Sequence, residues 1–457
     1  MKNEQSREVN QPIWFDGKSI NEALFCDDFL GRHKIIYTNG AFFTPDGRVT
    51  TDLPLRSEIF DELRCCAVSN IPRKISNIVE LMKLAALLED FPPEADRIHL
   101  ANGTLFLDGT FTEGKPEIVR CRLPVAYNPN APAPARWLAF LDELLYPEDF
   151  PSLQEFIGYC LIPSNKGQRM MVVKGNGGEG KSQIGVVLST LFGGNMKDGS
   201  IGKISENRFA RADLEHVLLC VDDDMRMEAL RQTNYVKSIV TAQGKMDLER
   251  KGRQSYQGWM FARLLAFSNG DLQALFDRSD GFYRRQLVLT TRERPAGRVD
   301  DPDLAEKMKA EVEGIFFWAF AGLQRLVANN FKFTESQRTR ENREAVKRDN
   351  NNVFDFLESE GYIRRKADAT ISSKELYEVY QIFCTENGLT VLKPRSFSDA
   401  VIASQGRYNL EYCNNVTNAA GRRVRGFFGI EALVHPNISV FSGDSLRTYV
   451  PRDTPEG

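Results

Sequence analysis

The chain has 457 residues and a formal net charge of −3, with 42% hydrophobic and 26% charged residues. That length and balance describe a globular protein of about two to four domains, and they exclude nucleic-acid binding by bulk positive charge, leaving only local basic patches for such contacts. Eight scattered cysteines without a Cys-x-x-Cys pair, and four histidines far apart in the chain, exclude a zinc ribbon, a disulfide framework and a histidine metal site.

The start, Met1 to Gln5, is polar and has no hydrophobic signal region. No stretch is apolar and long enough to span a membrane, so a cytoplasmic protein with no membrane partner is expected. Residues 1–20 read as a flexible N-terminus. Ile35-Ile36-Tyr37-Thr38 and Ala41-Phe42-Phe43 flank Asn39-Gly40, the pattern of a hairpin. Ile75, Ile78, Val79, Met82 and Ala86 recur at helical spacing and predict a helix from Ile75 to Leu88, stopped before Pro92-Pro93. Ile98 to Leu107 predicts a second strand–turn–strand around Asn102-Gly103, and a helical stretch starts at Arg136. The order of "ANGTLFLDG", "LPVAYNPNAPAPARWLAFLDELL" and "LQEFIGYCLI" resembles the N-terminal helper domain of phage, plasmid and poxvirus primase-helicases. The resemblance implies an α+β helper domain over residues 21–165.

Met170-Met171-Val172-Val173 predicts a strand, and Gln183 to Leu188 a helix. Between them stand Gly175, Asn176, Gly177, Gly178, Glu179, Gly180, Lys181 and Ser182, the G-x-x-x-x-G-K-[ST] pattern of a phosphate-binding loop. Glycines let successive backbone N–H groups turn inward onto a polyphosphate, and the helix start adds its positive dipole end. Lys181 would reach the β- and γ-phosphates of ATP, and Ser182 would hold Mg²⁺.

Val217 to Val221 predicts a buried strand that delivers Asp222, Asp223 and Asp224 at its end. Asp222 and Asp223 are expected to hold the metal with Ser182, and Asp223 also to polarise the attacking water, with Asp224 a rival for that second role. Leu264 to Phe267 predicts another strand, ending near Asn269, which suits a sensor of the γ-phosphate or the water. Between these strands come the apolar-patterned stretch Tyr235 to Val240 and the basic run Arg250, Lys251, Gly252, Arg253, which suits a tight hairpin.

This order of motifs resembles the superfamily 3 helicases of DNA viruses and mobile elements, although relatives carry Gly-Asp where this chain has Gly244-Lys245. The resemblance implies an AAA+-like α/β motor with a mainly parallel sheet over residues 166–335. It also implies a ring, a homo-hexamer, in which a neighbouring subunit inserts an arginine finger: Arg284, with Arg285 the alternate. The basic hairpin would line the channel and grip the DNA backbone through Lys251, supported by Arg250 or Arg253.

Residues 336–350 read as a charged linker. In residues 351–440, Ser372 and Glu375 form a capping box ahead of the apolar stripe Leu376, Val379, Tyr380 and Phe383. Pro394 opens a further helix carrying Phe397, Val401 and Ile402. Strand-like runs follow at Tyr408–Cys413 and Arg425–Ile430. Helices followed by a basic hairpin suggest a winged helix, similar to the C-terminal domain of the same primase-helicases. Lys393, Arg395, Arg422, Arg423 and Arg425 are its candidate phosphate contacts. Residues 441–457 form a tail.

The leading expectation is an ATP- and Mg²⁺-dependent DNA helicase, acting on single-stranded or forked DNA in replication initiation of a phage or mobile element in a bacterial host. No primase catalytic set precedes the helper motifs, so a separate primase is the expected partner, alongside other replication proteins. A DNA-binding ATPase that assembles a replication complex without unwinding is the alternative. A small-molecule phosphotransferase would use the same loop.

Overall fold

The computed structural model describes residues 12–66, 69–225, 233–252, 254–269, 280–294, 297–349, 352–389, 391–417, 421–436 and 449–451. The chain divides into two compact units, one of Met1–Leu272 with Arg284–Asn342, the other of Gln273–Tyr283 with Arg343–Gly457.

The first unit is organised on a five-stranded sheet, all of whose neighbours are parallel. Its order is Gln286–Thr290, Met170–Lys174, Arg263–Ser268, Leu219–Met225, Met196–Asp198. The central strand, Arg263–Ser268, is buried at every residue, as a parallel strand covered on both faces must be. The helix Ser182–Phe192 buries Ile184, Val187, Leu188, Leu191 and Phe192. Gly185 lets it lie close, because a Cβ there would stand 3.3 Å from the Phe267 ring. Helices Phe150–Tyr159 and Val312–Ala328 cross at glycines: side chains on Gly158 and Gly322 would run into the backbone of Ala319 and Gln154. One hydrophobic core runs from Ile98 through the sheet to Leu323, so the segments expected as helper and motor share their packing.

The earlier residues build a second core around Phe25, Phe29, Ile59, Ile78 and Met82. The expected hairpin pairs Thr38 with Ala41, and Asn39 and Gly40 take φ of 48° and 83°, the conformation a two-residue twisted turn needs. The helix expected from Ile75 runs over Ile71–Ala85, starting earlier because Pro72 fits its first turn. The second turn differs from expectation. Leu100 pairs with Gly103, so Ala101-Asn102 make the turn and Gly103 begins the strand. The Phe111 ring crosses Gly103 where a Cβ would stand.

The second unit holds helices Asn352–Glu358, Ser373–Glu386 and Pro394–Tyr408 against an antiparallel sheet ordered Ile363–Ser372, Arg423–Ala432, Glu411–Thr417. Ser372 Oγ accepts the Glu375 amide at 3.1 Å, as the capping box requires. Leu376, Val379, Tyr380, Phe383, Phe397 and Val401 are all buried in one core. The strand Ile363–Ser372 was not foreseen. Among all described residues, no helix is long and apolar enough to cross a membrane.

Candidate functional site

Parallel strands bring their C-terminal ends to one edge of the sheet, where ligand crevices form. Lys174 pairs with Ser268, and the Gly175 amide donates to the Ser268 carbonyl at 3.0 Å. The glycine-rich loop therefore leaves the sheet beside Asn269. Gly177, Gly178 and Gly180 take φ of 102°, 79° and 103°, which strains any residue with a side chain. Gly175 has a different reason: a Cβ would lie 2.6 Å from Lys181 Nζ and 2.6 Å from Thr291 Oγ1. The bare backbone lets Lys181 fold back over its own loop.

Lys181 is buried, and its Nζ donates to Glu179 Oε2 at 2.8 Å and to Asn269 Oδ1 at 3.1 Å. Glu179 is also buried. Its carboxylate accepts from the amides of Asn176 and of Gly177, the latter at 3.1 Å. Burial pushes the Glu179 carboxyl up, but Lys181 and the loop amides outweigh it and hold the group below the usual carboxylate range. These donors thus already gather around one anionic group. In front of them opens a cavity of about 560 Å³, lined by the loop, Ser182, Asp223, Asp224, Ser268, Asn269, Arg294 and Arg298. That volume is in the range of small-molecule sites.

The acidic strand departs from the expected assignment. Ala266 pairs with Asp222, but Ser268 pairs with Met225. The acidic strand carries one extra residue over that span, a bulge, and a bulge re-aims side chains. Asp223 and Asp224 are both exposed and both line the cavity. Asp222 is buried and does not line it; its Oδ2 accepts the Ile201 amide at 2.7 Å, at the start of helix Ile201–Glu206. Burial raises the Asp222 carboxyl above its ordinary range, opposed by that hydrogen bond and reinforced by Asp224 and Asp223. Of the residues expected to hold a metal, Ser182 and Asp223 line the cavity with Asp224, and Asp222 stands behind them. Among the described residues no three His, Cys, Asp or Glu side chains cluster as a metal cage. Two carboxylates and the Ser182 hydroxyl suit Mg²⁺ held jointly with phosphate oxygens and water.

Arg294 and Arg298 were missed by the sequence reading. Arg294 donates to the Gly178 carbonyl at 3.2 Å and to Asp300 Oδ2 at 2.9 Å, and Arg298 donates to the Glu179 carbonyl at 3.1 Å. The signal available was the run of arginines after the strand Gln286–Thr290, which carries no family pattern of its own.

Arg284 and Arg285 lie at the other end of the sheet. They precede the edge strand, whose start pairs with Met170, while the glycine-rich loop follows Lys174. Five residues of strand separate the two ends, about 17 Å. Arg284 is exposed there, with its carbonyl accepting from Arg169.

The basic hairpin pairs Lys245–Leu248 with Tyr256–Trp259. Lys251 is exposed at its end and Gly252 takes φ of 77°. Arg253 lies outside the described residues. Arg250 turns inward instead: it donates to Glu215 Oε2 at 3.1 Å and to Tyr256 Oη at 2.8 Å. Fully buried Glu215 also accepts from Tyr256 Oη at 2.5 Å and from Asn39 at 3.2 Å. Arg250 is thus an anchor of the hairpin. In the second unit Lys393, Arg395, Arg422, Arg423 and Arg425 are exposed, the first two at the start of helix Pro394–Tyr408 and the others on or just ahead of strand Arg423–Ala432.

Residues 173–285 match a family of unknown function (DUF5906). Residues 348–405 match the poxvirus D5 protein-like family. A search of the curated proteins gives no match. Among solved structures, the A-form apo structure of the NrS-1 C-terminal region is similar at 13% identity with a TM-score of 0.49, over 90% of this chain and 100% of that one. The apo structure of NrS-1 residues 305–718 is similar at 11% identity with a TM-score of 0.47, again over 90% and 100%. The chain is thus a mixed α/β protein with a five-stranded parallel sheet and a C-terminal segment similar to poxvirus D5 protein.

Proposed function

We propose that the chain is an ATP-driven DNA helicase of the replication primase-helicase type. The observation that carries this reading is the meeting of Lys181, Asn269 and the bulged pair Asp223 and Asp224 around one open cavity. The poxvirus D5 protein-like segment supports the replication context. In this reading Lys181 and the loop amides bind the phosphates, and Asn269 sits beside Lys181, where the γ-phosphate or the attacking water would be sensed. Asp223 and Asp224 hold Mg²⁺ with Ser182 and orient the water. Mg²⁺ supplies charge neutralisation of the phosphates when bound.

Arg284 stands too far from its own loop to act there, so it would serve the loop of a neighbour. A contact between opposite ends of one subunit is head-to-tail and makes a ring where its rotation closes, here proposed as a hexamer. Lys251 would hold the phosphate backbone of one DNA strand, and the second unit, proposed as a winged helix, adds Lys393, Arg395, Arg422 and Arg423 as further phosphate contacts. The experiment is Mg²⁺-dependent ATP hydrolysis with and without single-stranded DNA, together with displacement of a strand from a forked duplex. Hydrolysis stimulated by DNA and coupled to displacement is expected. Hydrolysis without any displacement would replace the helicase with an assembly ATPase, and no hydrolysis would remove both.

A further inference from the structure

Glu179 stands apart from its neighbours in the glycine-rich loop. Asn176, Gly177 and Gly178 are exposed, the two glycines on the cavity itself, whereas Glu179 is only 4% exposed. Its side chain turns back into the loop, and its two carboxylate oxygens take the amides of Asn176 and Gly177 and the ammonium of Lys181. Inward-turned amides, a lysine and a helix start are the donors with which such a loop reads a phosphate. Here they already hold an anion that the chain itself supplies.

We propose that Glu179 is a tethered occupant of the phosphate seat, and that a nucleotide binds by displacing its carboxylate from Lys181 and the loop amides. The proposal rests on the nucleotide-binding reading above and adds to it how affinity at that site is set. One ammonium and one pair of amides cannot hold a carboxylate and a phosphate in the same place, because two anions there repel and compete for the same hydrogens. Binding is therefore an exchange of one set of charge-assisted hydrogen bonds for another, and only the difference appears as affinity. The cavity opens directly in front of the loop and gives the displaced side chain a way out. The same contacts give a loop with three positive-φ glycines a defined shape. Glu179 closes it from Asn176 to Lys181, as the phosphate later would.

The test is isothermal titration of the full chain with ADP and with inorganic pyrophosphate, comparing wild type, Glu179→Gln, Glu179→Asp and Lys181→Ala. Glu179→Gln keeps the shape and removes the charge. Glu179→Asp keeps the charge but is one methylene shorter and falls short of the amides. Charged hydrogen bonds of this kind set the expected effect: both Glu179 variants bind ADP and pyrophosphate about tenfold to a hundredfold tighter than wild type, while Lys181→Ala loses binding. Tightening of pyrophosphate as well as ADP places the competition at the phosphates and supports the proposal. Wild-type binding with unchanged or weaker affinity in both Glu179 variants would overturn the displacement and leave the nucleotide site standing. No binding by any form would overturn both.

Discussion

Replacing Asp222, Asp223 and Asp224 one at a time separates the carboxylate that holds the fold from those that face the cavity. Asp222→Ala removes the acceptor that takes the Ile201 amide at 2.7 Å, and it leaves that N–H buried at the start of a helix without a partner. A lost cap acceptor and an orphaned donor describe the same event, worth about 1–2 kcal/mol. That lowers the Tm by roughly 1–3 °C. Asp222→Asn is milder. Burial already disfavours the charge at Asp222, so an amide of the same size costs about 1 kcal/mol or less. Asp223→Asn and Asp224→Asn lie on the exposed bulge and change stability by about 0.5 kcal/mol at most. Their cost falls on the chemistry: at least about a hundredfold in Mg²⁺-dependent hydrolysis, as expected when metal-borne stabilisation of transition-state charge is weakened. Magnesium titration of ATP hydrolysis and scanning calorimetry on the four variants read the two effects separately. Loss of hydrolysis in Asp222→Asn at unchanged Tm, with Asp223→Asn and Asp224→Asn fully active, would refute the assignment of the bulged pair.

Mixing Arg284→Ala with Lys181→Ala subunits should restore part of the ATP hydrolysis that each lacks alone, because one intact interface can form from two damaged chains; absence of recovery after demonstrated subunit exchange counts against a shared site. Glu215→Ala removes the carboxylate that takes Tyr256, Arg250 and Asn39 and that offsets the buried Arg120 and the half-buried Arg48. Its cost is about 3–5 kcal/mol by denaturant unfolding, and a loss below about 1 kcal/mol would show that the anchor is not a stabilising one. His216 is held well below its ordinary pKa by burial and by Arg120, Arg48 and Arg250, with Glu215 beside it. The folded protein therefore keeps His216 neutral while the unfolded chain takes up a proton below about pH 6.5. Its contribution is full above that value and falls by up to about 1.4 kcal/mol per pH unit as pH drops toward the folded pKa. His216→Asn, which tolerates the φ of 70° at this position, should flatten the stability profile between pH 7 and 5, and an unchanged slope would exclude His216 as its source.

Local signals were legible wherever the chemistry is carried by neighbours in sequence. Asn39-Gly40 names its own turn, Ser372 and Glu375 name their own cap, and the glycine spacing names a loop that folds around an anion. Signals failed where a distant segment decides. Asn102-Gly103 has the same composition as Asn39-Gly40, yet the turn moves one residue back because Phe111 from the next strand needs the space over Gly103. The strand Ile363–Ser372 escaped notice because Arg364 to Asp368 are all exposed. An edge strand with no buried stripe there has no alternation to read, and its pairing comes from residues some sixty positions later. The three aspartates make the same point at the site itself. Their sequence offers equivalent carboxylates at the end of a buried strand. Which of them reaches the cavity is settled by one extra residue against Ala266 to Ser268 on the adjacent strand. With period-two alternation, Asp222 and Asp224 would share one face and Asp223 the other. Asp222 keeps its regular place opposite Ala266 and meets the Ile201 amide, while the bulge just after it breaks the alternation and leaves Asp223 and Asp224 together on the cavity that Lys181 and Ser182 also line.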